Sequence, residues 1–287
     1  MKMDRDKYLI WYKLAKETVQ DDTLIPARTD SEIKKKLVSE NDWLMFLIGE
    51  FDDTKEAKNS DRPNVFLNIF NDDNKEYARI GITFNNVKAI DTLKNILSKY
   101  CHDQKEELTK RLLEIDGSWE ITVSRKIKDK NWQQAPEYKE EFHANSNNID
   151  DGIIDQVISW VNTIRQEGIE KRESSSTYYM ETPSVNLIES TFPLNEEEFK
   201  KRIKDAFSIL EVCLDVKSDR QIKNIEKEQD KELKELKIQA ENLQNKVDKA
   251  ESYISLGLAT TEQVEEKKLE LEKIKQRIRE LETLNDE

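Results

Sequence analysis

The apolar positions of this chain follow two regimes. Up to residue 214, short apolar runs alternate with helical repeats; from Asp215 onward the apolar residues thin to a regular three-and-four spacing among charges. In the first regime, Thr29-Asp30-Ser31-Glu32 has the spacing of a capping box and predicts a short helix through Leu37. Trp43 to Phe51 (WLMFLIGEF) is almost continuously apolar, too short for a typical helix and suited to a central strand. Asn64 to Phe70, introduced by Arg62-Pro63, predicts a second strand. Tyr77 to Phe84 predicts a third, with Ala78, Ile80, Ile82 and Phe84 on one face. The polar connections between these runs are short enough for antiparallel neighbours. Ile90, Leu93, Leu97, Tyr100, Leu108, Leu112 and Ile115 recur at helical spacing and are closed by Asp116-Gly117.

Trp119 to Ile127 alternates again, with Trp119, Ile121, Val123 and Ile127 inward. Lys128 to Asn148 is polar and reads as a loop, and Ile153 to Ile164 reads as a helix. Tyr178 to Phe192 predicts a strand with a break admitted at Pro183. Asn195 then has the features of a helix cap, with Glu198 at the reciprocal position and Leu194 and Phe199 as a hydrophobic staple. The expected architecture is an α+β domain over 1–214, with a mostly antiparallel sheet of four or five strands.

The second regime predicts a different object. No Gly or Pro lies between Pro193 and Gly257, so the helix from Asn195 is expected to run on for up to about 60 residues, with Ser218-Asp219 as the alternative break. Leu233, Leu236, Ala240, Leu243, Val247, Ala250 and Ile254 form a heptad seam. Ser255-Leu256-Gly257-Leu258 resembles a helix end, and Thr260 with Gln263 makes a second capping box. Val264, Leu271, Ile274, Ile278 and Leu281 form a second seam. The expectation for 215–287 is an antiparallel coiled-coil helical hairpin. Its fold would place Leu281 near Leu236 and leave residues 217–230 unpaired, and so narrow a hairpin is expected to associate with a second copy or a partner.

Composition narrows the function classes. The chain has 287 residues, with 47 Lys and Arg against 60 Asp and Glu, a formal charge of −13. That balance argues against nucleic acid as a direct ligand, because phosphate-backbone binders usually carry a basic face. The densest basic run, Arg125-Lys126-Ile127-Lys128-Asp129-Lys130-Asn131-Trp132, reads as an exposed strand end. Six glycines leave little room for phosphate loops. No run approaches the roughly 18–20 apolar residues of a membrane span, and Lys13 interrupts the short patch from Tyr8 to Leu14, so no signal core is expected. Cys101 and Cys213 lie in apolar helical patterns as expected free thiols. The expected location is cytoplasmic.

Catalytic patterns are sparse. His102 and His143 are the only histidines; His102 beside Cys101, in mid-helix on this reading, shares no face with it, so no metal site is assigned. No GxGxxG, Walker-type loop, GxSxG or HExxH occurs, and no catalytic residue or cofactor is expected. Carboxylates could still converge: Asp52-Asp53 and Asp72-Asp73 end the first two strands. The order short helix, three strands, helix, strand over 31–127 resembles the core of the restriction-endonuclease-like fold, which would imply an acid near the second strand and a (D/E)-x-K pair on the third. Here the third strand reads Arg79-Ile80-Gly81-Ile82-Thr83-Phe84 and the second carries Asn64 and Asn68, so the resemblance implies at most an inactive relative. The expected function is a non-enzymatic interaction or assembly protein, with protein partners or self-association through the C-terminal arm. A metal-dependent nuclease using Asp52, Asp53, Asp72 or Asp73 around Mg²⁺ is the alternative. An acidic decoy for a basic DNA-binding protein is a second.

Overall fold

Seven strands form one sheet in the computed structural model, which describes residues 5–19, 24–26, 43–48, 63–73, 75–85, 87–128, 137–174, 180–254 and 260–286. The strands are β1 (Leu24–Pro26), β2 (Trp43–Ile48), β3 (Asn64–Asp72), β4 (Lys75–Phe84), β5 (Glu120–Lys128), β6 (Glu137–Asn145) and β7 (Met180–Pro193). They lie in the order β1-β2-β3-β4-β7-β5-β6, and every neighbouring pair is antiparallel. Among the described residues five helices of the first unit accompany them: α1 (Arg5–Val19), α2 (Val87–Asn95), α3 (His102–Glu114), α4 (Ile153–Ser174) and α5 (Glu196–Leu214). The fold is α+β. The chain divides into a unit Met1–Ser218 and a unit Asp219–Glu287, the latter holding α6 (Asp219–Ile254) and α7 (Thr261–Asp286).

Strand alternation gives the sheet two unlike faces. Val65, Leu67 and Ile69 of β3, Ala78, Ile80, Ile82 and Phe84 of β4, Ile121 and Val123 of β5, and Val185 and Leu187 of β7 join one buried cluster with the apolar sides of the helices. Trp11 of α1 packs at 4.8 Å on Phe199 of α5 in that layer. The other face carries a row in direct register across five strands, Asn64–Thr83–Asn186–Thr122–His143. The row forms a polar stripe on that face, which by alternation also carries the wholly buried Phe66.

Several expectations change. The predicted 128–148 loop contains the edge strand β6, whose burial is confined mainly to Ala144, with Phe142 partly buried. An edge strand with one wet face and charged side chains leaves almost no apolar alternation to read. Together with the three-residue β1, it raises the strand number to seven. β7 runs through Pro183 without a break. Pro183 pairs with Arg125 of β5, whereas the β4 ladder begins only at Val185, so the absent proline N–H removes no bond on that side. The predicted helix from Ile90 divides into α2, a 3₁₀ turn Lys99–Cys101 opened by Ser98, and α3. His102 therefore begins a helix instead of lying in its middle. The capping box expected at Thr29 to Glu32 and the helix end at 255–258 fall outside the described residues.

Asn195 does cap α5, accepting from the Glu198 amide at 2.9 Å, but the Glu198 carboxylate turns to Arg202 at 2.7 Å. The expected uninterrupted helix from Asn195 stops at Leu214 and restarts at Asp219. The cause is tertiary: Val216 is buried in the core cluster, Lys217 donates to the Tyr100 carbonyl at 2.6 Å, and Asn95 donates to the Lys217 carbonyl at 3.1 Å. These contacts hold the chain out of helix without Gly or Pro.

Gly117 follows α3 at φ +91°, and a Cβ there would strike the Arg202 guanidinium, which itself donates to the Asp116 carbonyl at 2.9 Å. Gly117→Ala is expected to destabilise the first unit by about 1–3 kcal/mol, read as a lowered urea midpoint at unchanged slope. An unchanged midpoint would show that Arg202 yields freely.

Candidate interaction surface and charge network

The second unit is built from two helices that pair through their apolar spacing. Val247, Val264, Leu271 and Leu281 are buried; Leu233, Leu236, Ala240, Leu243, Ala250, Ile274 and Ile278 are half-buried; Ile254 stays exposed. Lateral polar pairs fix the alignment: Lys237 with Glu282 at 2.6 Å, Gln244 with Lys275 at 3.2 Å, and Glu251 with Lys268 at 2.8 Å. Partners ascend along α6 as they descend along α7, so the helices lie antiparallel. Arg277 meets Glu232 at 2.9 Å across the opposite flank. These ion pairs are exposed, and each contributes little beyond alignment.

By that register the end of α7 lies level with Leu233, and the first turns of α6 run on beyond it. Ile222, Ile225 and Gln229 there are half-buried. Ile238 and Leu269 are 60% and 61% exposed, on the side of each helix away from the seam. The unit thus offers a narrow apolar seam, sealed along one flank by three polar pairs.

Among the described residues the candidate acids do not assemble into a metal site. Asp72 and Asp73 sit in the β3–β4 hairpin turn, where Asp73 supplies a φ of +45° that such turns require. Asp52 and Asp53 lie outside the described residues. Among the described residues no three His, Cys, Asp or Glu side chains gather as metal ligands. His102 is exposed beside Glu106, and His143 meets Glu120 at 3.5 Å. Cys101 and Cys213 are free and buried, and burial pushes the Cys213 thiol up to about 12, far from a reactive thiolate. Glu196 and Glu198 of the acidic helix start pair with Lys200 and Arg202.

The expected exposed basic run is split by the sheet. Arg125 points to the helix face, 6% exposed, and its guanidinium donates to Glu141 at 2.9 Å, Glu181 at 2.7 Å and Glu167 at 2.6 Å. Lys171 closes on Glu181 at 2.9 Å and Lys139 on Glu141 at 3.3 Å. The hydrogen bond from Arg125 holds the Glu141 carboxyl below the usual range. Burial alone would raise Glu181, but hydrogen bonds from Arg125 and Lys171 outweigh it, so that carboxyl also lies low. Burial works against the Arg125 charge, and the three glutamates more than restore it. Three carboxylates face three cations. The network ties β5, β6, β7 and α4 together.

Sequence reasoning missed this network, although period-two alternation does put Arg125 inward between Val123 and Ile127. A second ion pair, Arg79 with Glu189, lies on the opposite face, where Asn186 also donates to Glu189 at 2.9 Å. It sits at a bulge of β7 in which Ile188 adopts φ +47°, a conformation that costs a β-branched residue about 1–3 kcal/mol. Among the described residues no helix is long and apolar enough to cross a membrane. No protein-family model, curated protein or solved structure matches this chain.

Proposed function

We propose that the protein is a non-enzymatic interaction or assembly factor. In this reading the α+β unit recognises a ligand or partner, and the α6–α7 pair acts as a coiled-coil hairpin for oligomerisation or docking. One observation carries it: seven seam residues remain only half-buried between two helices, and α6 runs on past the end of α7 with Ile222 and Ile225 on its leading turns. Two helices leave the sides of such a seam uncovered, and a further helix or helix pair covers them in a bundle. The charged outer faces keep the pair soluble and favour register-specific contacts over indiscriminate aggregation.

Sedimentation velocity of the full chain tests the reading. The wild type is expected above the 33.9 kDa monomer mass at micromolar concentration, and Leu243→Asp with Ile274→Asp is expected to return it to monomer. A wild type that stays monomeric and recruits no partner, or a double variant that assembles unchanged, defeats the proposal.

A further inference from the structure

The polar face of the sheet carries a feature that the assembly reading does not use. Lys126 follows Arg125 in β5 and therefore points the opposite way, onto that face. Direct register sets it between Thr182 of β7 and Tyr138 of β6, and sets Ser124 beside Ser184 and Thr122 beside Asn186. The Lys126 ammonium donates to the Asn85 carbonyl at 3.1 Å and lies 5.9 Å from the centre of the Tyr138 ring. Among the described residues no carboxylate comes within ion-pair distance of it, whereas Arg79, Arg111, Arg125, Arg165 and Arg202 all sit on carboxylates. Burial, with Lys128 close by, holds the Lys126 ammonium below the usual lysine range.

The hydroxyls beside it are equally unspent. Among the described residues Ser124, Thr182 and Ser184 have no side-chain hydrogen-bond partner, and Ser184 is only 7% exposed. The Ser184 residue is enclosed, but its hydroxyl oxygen is not a fully buried orphan, so it stays available to donate to a bound group. Glu140, across from Ser124 on β6, is exposed and is the carboxylate bordering the patch. In a chain of net charge −13, a half-buried cation without a counter-ion beside three free hydroxyls is complementary to a compact oxyanion.

We propose that Lys126, with Ser124, Thr182 and Ser184, forms a binding site for a phosphoryl group, with the Tyr138 ring beside the ammonium. The ammonium supplies the charge and the hydroxyls donate to separate phosphate oxygens, which a carboxylate with two oxygens satisfies less completely. The site does not depend on the α6–α7 pair, so its failure and the failure of the assembly reading are separable.

Isothermal titration of the full chain with inorganic phosphate is expected to show saturable binding, and acetate at equal ionic strength much weaker binding. Lys126→Gln keeps a donor for Asn85 and is expected to weaken phosphate roughly tenfold. Ser124→Ala with Ser184→Ala leaves the lysine in place and is expected to weaken it severalfold. Lys110→Gln, on the exposed side of α3, is expected to change nothing, and so is Leu243→Asp with Ile274→Asp. Absence of saturable binding, equal affinity in Lys126→Gln, or preference for acetate or for an uncharged sugar over phosphate overturns the proposal.

Discussion

Replacing Arg125 with methionine is expected to destabilise the α+β unit by about 3–5 kcal/mol. The side chain is 6% exposed and serves Glu141, Glu167 and Glu181 at once, so its removal costs the enclosed Glu141 and Glu181 a charged partner, while the half-exposed Glu167 can turn to water. Glu181 keeps Lys171 and Glu141 keeps Lys139, but among the described residues Glu167 has no other ion pair. Arg125→Lys should rescue little, because an ammonium cannot present three divergent N–H donors. For a unit of this size the melting midpoint is expected to fall by about 2–4 °C per kcal/mol. A loss below roughly 1 kcal/mol in denaturant unfolding would mean that the network is an ornament of the surface.

The same network sets an acid limit. Glu141 and Glu181 titrate lower in the folded chain than the ordinary glutamate value of about 4.3. A group depressed in the folded state contributes stability that is complete above its unfolded value and disappears as pH falls through its folded value. The gap in midpoint between wild type and Arg125→Met is therefore expected to hold steady near neutrality and close as pH drops below about 4. A gap that widens in acid would contradict the assignment.

The second large effect is expected from Val247→Asp. Val247 is 2% exposed between α6 and α7, so an aspartate there must carry an unpaired charge into the seam or force the helices apart. Long helices without an apolar partner are marginal in water, and the lateral ion pairs do not compensate. The far-UV helical signal contributed by the 36 residues of α6 and the 26 of α7 should fall by at least roughly half, while the sheet unit keeps its own transition. Val247→Ala should keep the pair and lower its midpoint only modestly. A wild-type helical signal in Val247→Asp would show that α6 and α7 are helical without each other.

Much of this was legible from local periodicity. The alternation of Ala78, Ile80, Ile82 and Phe84 marks the buried side of β4, and the cap at Asn195 forms as its residue type suggests. The edge strand β6 was not legible, since Tyr138, Lys139, Glu140 and Glu141 present charge and polarity on both faces. Nor was α1, whose Trp11, Leu14, Ala15 and Thr18 do follow helical spacing in a segment read only for the absence of a signal core. The break before α6 has a faint local sign, since Ser218 and Gln221 have capping-box spacing, but what enforces it is the docking of Val216 and Lys217.

The sequence by itself determined those elements whose identity depends on neighbours a few residues away: the period-two strands, the cap of α5 and the three-and-four spacing of α6 and α7. Only the tertiary structure decided what surrounds Arg125 and Lys126. Consecutive in the chain and alike in charge, they are sent to opposite faces by the pleat. The glutamates that claim the first lie 16, 42 and 56 residues away, brought there by β6, α4 and β7. Charge pairing acts over a few ångströms of space, not along the chain, so alternation could send Arg125 inward and Lys126 outward but could not name the glutamates that claim the first.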